Sequence, residues 1–265
     1  MKIIFSRKGF DSSSGGEASP ILPDNWLVSL PIPSKEDEIR FDQASFSKGQ
    51  SYWDLMKELR IDNNLPRKCH LDPDLERSVI KRQNGWLPNF GQRNGPQTQL
   101  MNQEVEVGDL FLFFGWFKKT ERKNGQLEYV NEKFADLHVL FGYLEIGKIL
   151  RVNKKENVEP WLAYHPHCLP FRMKTKNNTI YVATPKLSGD KNLPGGGTFR
   201  FHEDLNLTKE GESRSNWKLD RKDFPGLWSK KGNFKPRYRG QEFVIRADNK
   251  AIRWAKNLVS KHAKA

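Results

Sequence analysis

The segment Leu110-Phe111-Leu112-Phe113-Phe114-Gly115-Trp116-Phe117 constrains this chain more than any other. A nearly unbroken apolar run rich in rings cannot lie on a surface. It reads as a strand covered on both faces. Glu104 to Asp109 forms the turn that leads into it, and the polar stretch Lys118 to Gly125 reads as a hairpin connection. His138-Val139-Leu140-Phe141-Gly142-Tyr143-Leu144-Glu145-Ile146 is then the returning strand. Gly115 and Gly142 inside these strands imply bends or bulges, as in a curved sheet or a barrel. Aromatic residues make up 12% of the chain, so rings rather than aliphatic runs build the core.

The remaining elements are read around that pair. Lys2-Ile3-Ile4-Phe5-Ser6 suits a short strand, and Asn25 to Leu30 a second, closed by Pro31 and Pro33. Pairing of the two would place the loop Arg7 to Gly16 at one end of a sheet. Ser51 to Arg60 has Trp53, Met56 and Leu59 at helical spacing. Cys69 to Leu75 is a tight polar turn restrained by Pro73, and Gly85 to Gly95 a loop. Asn178 to Ala183 is a strand, Pro194 to Thr198 a flexible turn, and Gln241 to Ile245 a further strand. Asn249 to Lys261 is a terminal helix with Ile252, Ala255, Leu258 and Val259 on one face. The expected fold is therefore α+β: a mixed, strand-rich curved sheet or barrel core with peripheral helices. A chain of 265 residues can bury a sizeable core, and no linker or repeat divides it, so residues 1–265 are read as a single domain.

Charge points to a partner. Residues 151–265 carry 25 Lys/Arg against 11 Asp/Glu (+14), while residues 1–150 carry 20 against 21 (−1). A one-sided positive field of this kind suits a polyanion, DNA or RNA; an ordinary solubilising surface is the alternative. No segment reaches the apolar length that spans a bilayer, the N-terminus lacks a signal-peptide core, and two cysteines make no disulfide framework. The expected compartment is the cytoplasm, with no membrane partner.

Four segments carry candidate chemistry. Ser6-Arg7-Lys8-Gly9-Phe10-Asp11-Ser12-Ser13-Ser14-Gly15-Gly16 offers cations, hydroxyls and turn amides suited to phosphate, though without Walker spacing. A solvated hairpin loop is the plainer reading. His70, Asp72 and Asp74 form a compact imidazole and carboxylate group suited to proton transfer or metal ligation; a helix-capping turn is the alternative. Cys69-His70 and His165-Pro166-His167-Cys168 hold zinc-ligand atoms at no familiar spacing, so no metal site is assigned and their metal binding stays open. Ser229 to Gly240 interleaves Lys230, Lys231, Lys235, Arg237 and Arg239 with Phe234 and Tyr238: cations for phosphates, rings for stacking on bases. A solvated basic loop is again the alternative. No nucleophile elbow, dinucleotide fingerprint, kinase set or zincin helix is present.

Several of these segments together resemble the third nucleotide-modification-associated domain family of bacteria and phages. They are Lys2 to Ser12, His70 to Leu75, Gly91-Gln92, Gly108 to Phe117, His138 to Tyr143 and Asn177 to Val182. The resemblance implies association with systems that modify bases. It maps Ser6, Arg7, Lys8, Asp11, His70, Asp72, Asp74, Gln92, Trp116 and His138 onto the family pattern without assigning any of them a role. A weaker likeness, over the Gly-Asp-aromatic strand and the His-x3-Gly strand, is to PUA-like barrels of the EVE type, in which a pocket between strands holds a flipped or modified base.

Two functions follow as expectations. In the first, the protein reads or holds a modified base or nucleotide. An aromatic pocket near Trp116 would take the base, the basic face, including segment 229–240, would track phosphates, and Ser6, Arg7, Lys8, Ser12 and Gln92 are further nucleotide-binding candidates. In the second it is an enzyme, a transferase or glycosidic-bond hydrolase, with Lys8 or Arg7 holding phosphate, Asp11 or Asp72 as base and His70 or His138 shuttling protons. The partner is nucleic acid, DNA ahead of RNA, or a free nucleotide, with other proteins of a modification system as further candidates. No cofactor is assigned. A scaffold subunit that binds no nucleic acid is the third reading.

Overall fold

A computed structural model describes residues 1–47, 49–62, 64–154, 158–219 and 242–264. Its strands are β1 (Lys2–Arg7), β2 (Ser19–Ile21), β3 (Ile32–Pro33), β4 (Ser45–Ser47), β5 (Gln50–Ser51), β6 (Cys69–His70), β7 (Asn89–Gln92), β8 (Leu110–Lys123), β9 (Gln126–Tyr129), β10 (Leu137–Arg151), β11 (Thr179–Ala183), β12 (Gly196–Thr198) and β13 (Glu242–Arg246). The helices are α1 (Tyr52–Glu58), α2 (Asn94–Asn102), α3 (Pro170–Met173) and α4 (Asn249–His262).

The apolar run is the interior strand of the main sheet. β8 lies between β1, which runs parallel to it, and β10, which runs antiparallel; the path continues β13-β1-β8-β10-β11-β7. Phe111, Phe113, Phe114 and Phe117 are fully buried, with Phe90 edge-on at 5.2 Å from both Phe111 and Phe113. Each such ring contributes about 1.5–3 kcal/mol on burial. The ladder of β10 slips between Leu140 and Gly142 and again between Ile146 and Lys148. These bulges curve the sheet, as the glycines implied. The curl brings the two edge strands near each other: Gln92 Nε2 in β7 donates to Glu242 Oε1 in β13 at 2.7 Å. The strand path stays open, with β13 and β7 as its ends, so the curved sheet is realised and the barrel is not.

Other expectations need correction. Asn25 to Leu30 is not a strand paired with β1; it makes only single bridges, Leu27 to Ile21 and Trp26 to Arg200. β1 is buried on both faces from Ile3 to Ser6, so it needs partners on both edges, and β8 and β13 supply them. The polar stretch Lys118 to Lys123 continues β8, and the turn to β9 is the pair Asn124-Gly125, both at positive φ (52° and 82°). The loop Gly85 to Gly95 contains β7, and the Gly-rich turn at 194–198 contains β12, hydrogen-bonded to β10. Glycine is required at 196 because a Cβ would lie 2.8 Å from Pro88 Cβ.

The helices are peripheral. α1 is capped by Ser51, whose Oγ accepts from Asp54 N at 3.1 Å, and it buries Trp53, Leu55 and Met56 against Phe10, Phe41 and Val28 in a second core. α4 is capped by Asp248 and buries Ala251, Ala255, Leu258 and Val259; Ile252 is only half-buried. No helix among the described residues is long and apolar enough to cross a membrane.

Candidate functional site

β1 carries Ser6, Arg7 and Lys8 to the place where the curl brings β7 and β13 together. Ser6 is paired in register with Glu242 across the β1–β13 ladder, so their side chains share a face. Lys8 Nζ reaches Glu242 Oε1 at 3.0 Å and stands 4.7 Å from the centre of the Phe90 ring. Gln92 donates to the same oxygen. Ser6 Oγ and Glu242 Oε2 are buried and have no hydrogen-bond partner among the described residues. Glu242 escaped the sequence reading, which placed it inside an ordinary strand.

The loop beyond Lys8 closes on itself. Asp11 Oδ1 accepts from Ser13 N at 2.8 Å and Ser14 N at 2.9 Å, and Arg7 lies 4.0 Å from Asp11 Oδ2. Those two amides are therefore taken up inside the turn by the Asp11 carboxylate. Ser12 Oγ accepts from Arg214 at 3.0 Å. The same guanidinium covers the Trp116 ring at 4.0 Å, while Trp116 Nε1 donates to Asp136 at 2.8 Å. His138 lies beneath, 1% exposed, its Nδ1 accepting from Trp217 Nε1 at 3.0 Å. Burial, with the charges of Arg7 and Arg214, holds His138 well below the usual imidazole range, so it stays neutral.

The third group lies around β7. Asp72 Oδ1 accepts from Gly91 N at 2.9 Å. Three imidazoles surround its carboxylate: His70 Nε2 and His167 Nε2 lie 3.6 and 3.5 Å from Oδ2, and His165 Nε2 lies 3.6 Å from Oδ1. His70 is half-buried; Asp72, His165 and His167 are buried. Burial alone would raise Asp72, but the imidazoles of His165 and His70 outweigh it and hold the carboxyl well below its usual range. Burial pushes His167 down to about 3. His70 is moved up, because Asp37 and Asp72 on either side outweigh its burial. The segments around Cys69 and Cys168 thus do meet, through histidines and a carboxylate. Cys69 is buried against the α1 core, and burial pushes the Cys168 thiol up to about 12.

Gly91 makes room for this arrangement. Its φ is not positive; its need is space, since a Cβ would lie 2.4 Å from His167 Cδ2 and 2.8 Å from His165 Cε1. Asp74 belongs elsewhere. It is fully buried, accepting from Arg82 at 2.5 Å, from Trp86 Nε1 at 3.3 Å and from the Tyr164 hydroxyl, and it caps no helix.

The proposed site residues therefore fall into three groups. Lys8, Ser6 and Gln92 gather at Glu242. Arg7, Asp11, Ser12, Trp116 and His138 gather near Arg214 and Trp217. His70 and Asp72 join His165 and His167. Lys230, Lys231, Phe234, Lys235, Arg237, Tyr238 and Arg239 lie outside the described residues.

A family model described as nucleotide modification associated domain 3 matches residues 2–246 of the chain. No curated protein and no solved structure matches it.

Proposed function

The chain belongs to the nucleotide modification associated domain 3 family, and from that premise we propose that it holds a base or nucleotide at the Ser6–Lys8–Gln92–Glu242 end of the curled sheet. The observation that carries this reading is the pair of buried polar atoms, Ser6 Oγ and Glu242 Oε2, side by side with no partner among the described residues. A buried polar group left unsatisfied costs about 1–3 kcal/mol, and more when charged. A base edge supplies the missing partners: an exocyclic amine donates to the carboxylate, and a ring nitrogen or carbonyl accepts from the hydroxyl. Lys8 adds a cation for a phosphate or a carbonyl oxygen. Phosphate contacts from the basic half of the chain, including segment 229–240, position the ligand, while the pocket sets its identity. DNA is the favoured polymer, and a flipped, modified base costs least to extrude. The cytosol, where free Cys69 and Cys168 stay reduced, is the compartment that fits.

The test is titration of the protein with labelled DNA, RNA and mononucleotides carrying ordinary and modified bases. Glu242→Gln and Ser6→Ala, checked for fold by circular dichroism, are expected to weaken the preferred ligand, by at least about tenfold for Glu242→Gln. Equal affinity of wild type and both variants, or no binding to any of these at low salt, would sink the reading.

A second reading, an enzyme acting on a nucleotide or base, is favoured by the His70–Asp72–His165–His167 group, in which an ionised carboxylate and a half-buried imidazole are within reach of each other. Asp72→Asn would then abolish turnover and spare affinity. Asp11 suits this role less well, because its carboxylate already serves the turn amides.

A further inference from the structure

The geometry points to a binding site for a divalent first-row transition-metal cation formed by His70 Nε2, His167 Nε2 and Asp72 Oδ2. It stands independently of the base-holding pocket, which lies on other residues. Its argument begins with where the protons are. Asn178 Nδ2 donates to Val152 O and His167 O, both at 2.8 Å, so its Oδ1 is the atom facing His167 Nδ1 at 2.6 Å. That oxygen can only accept, so the imidazole proton sits on Nδ1 and Nε2 presents a lone pair. The same logic holds for His70. Its Nδ1 faces Asp37 Oδ2 at 3.1 Å, and Asp37 is held as a carboxylate by Arg172 on both oxygens. With His70 neutral, both lone pairs then face one oxygen of Asp72.

Two lone pairs aimed at a buried anionic oxygen repel one another unless a positive centre lies between them. The separations suit a metal ion better than a hydrogen bond. The Asp72 contacts, 3.5 and 3.6 Å, exceed the usual hydrogen-bond range of roughly 2.7–3.2 Å. Ligands about 2.0–2.1 Å from a shared tetrahedral ion stand about 3.3 Å apart. All three ligand atoms lie within 4.8 Å of one another. The other Asp72 oxygen is turned away: it accepts from Gly91 N and faces His165 Nε2. That nitrogen belongs to a fully buried ring and has no hydrogen-bond partner among the described residues; with His165 Nδ1 accepting from His167 N at 3.2 Å, it carries a proton aimed at the carboxylate. Each ligand thus has a supporting group behind it: Asp37 and Arg172 for His70, Asn178 for His167, Gly91 and His165 for Asp72. Such support fixes tautomer and ring orientation at metal sites.

Two imidazoles and one carboxylate leave further coordination positions free for water or a ligand oxygen. A second group, His202, Asp204 and His262, has similar spacing, but it is partly to fully exposed and Lys261 Nζ already lies 2.6 Å from Asp204 Oδ2. It serves as the internal control. The competing occupant of the buried gap is a proton on His70.

The experiment uses the full chain, stripped with a chelator and titrated with Zn²⁺ by calorimetry and with Co²⁺ by visible absorption. One equivalent is expected, with the Co²⁺ band of a low-symmetry nitrogen–oxygen site and an upward shift of the melting midpoint. Asp72→Asn and His167→Ala should lose the band and the shift, while His262→Ala keeps both. His70→Ala, at a half-buried position, tests the same ligand set should His167→Ala fail to fold. Binding that survives Asp72→Asn and His70→Ala, binding lost instead in His262→Ala, or no binding by the wild type overturns the site. None of these readouts uses nucleic acid, so the base-holding reading stands or falls separately.

Discussion

Gly91 and His138 show how single residues carry the consequences of burial. Gly91 lies in an extended strand, and any Cβ there meets two imidazole rings. Gly91→Ala should destabilise the protein by about 1–3 kcal/mol through overpacking. It should also weaken cation binding, because the rings must move. A urea midpoint equal to wild type would contradict this. His138 is held neutral by burial, and His167 likewise. Once unfolded, each takes up a proton near its ordinary pKa. Their stabilisation is therefore complete above that pKa and falls away as pH drops below it, for His167 down to about 3. His70, shifted upward, works in the opposite sense: its contribution is present at acid pH and is lost as pH rises through its folded value. With two groups against one, chelator-treated protein should lose stability between about pH 7 and pH 5. His138→Gln should flatten that loss. Melting curves at several pH values with an unchanged slope in the variant would remove His138 from the account.

At the scale of elements, the strongest local patterns foretold the most. β8 and β10 were legible because an apolar, ring-rich strand has one stable place, between two others. α4 was legible from its apolar stripe, and its cap Asp248 accepts from Ala251 N at 2.8 Å. Asp248→Ala should cost about 1 kcal/mol, read as a shift in the denaturation midpoint with an unchanged slope. A change within error would mean that α4 is held by packing alone. The second half of β8 resembles a connection because its exposed residues are polar, although Asn124-Gly125 already marks the turn. β7 and β12 are hidden by glycines. In both, glycine is a response to a neighbour that sequence does not display: the histidines at Gly91, and Pro88 at Gly196.

For the whole molecule, the positive excess in residues 151–265 is the feature with the widest reach. If it meets phosphates, affinity for DNA should fall linearly on a log–log plot against salt. Replacing Lys230, Lys231, Lys235, Arg237 and Arg239 with Gln should reduce that slope by about one for each phosphate no longer neutralised, with little change in preference among bases. A slope untouched by all five changes would place the phosphate-binding surface elsewhere. The family model, over residues 2–246, spans all nine strands of the main sheet, from β1 to β13.

Periodicity and apolar runs are local, and a chain carries them wherever it goes; from them came the strand-rich α+β core and the helices at its edge, while the positive excess of residues 151–265 is a matter of composition alone. The sites are another matter. Gln92 and Glu242 are 150 positions apart, and Asp72 meets His165 and His167 across β7. Which polar groups end up buried together depends on how the sheet curls and which edges it brings close. That is a property of long-range packing, so Glu242, Asp37 and Asn178 gained their roles only once the chain had folded.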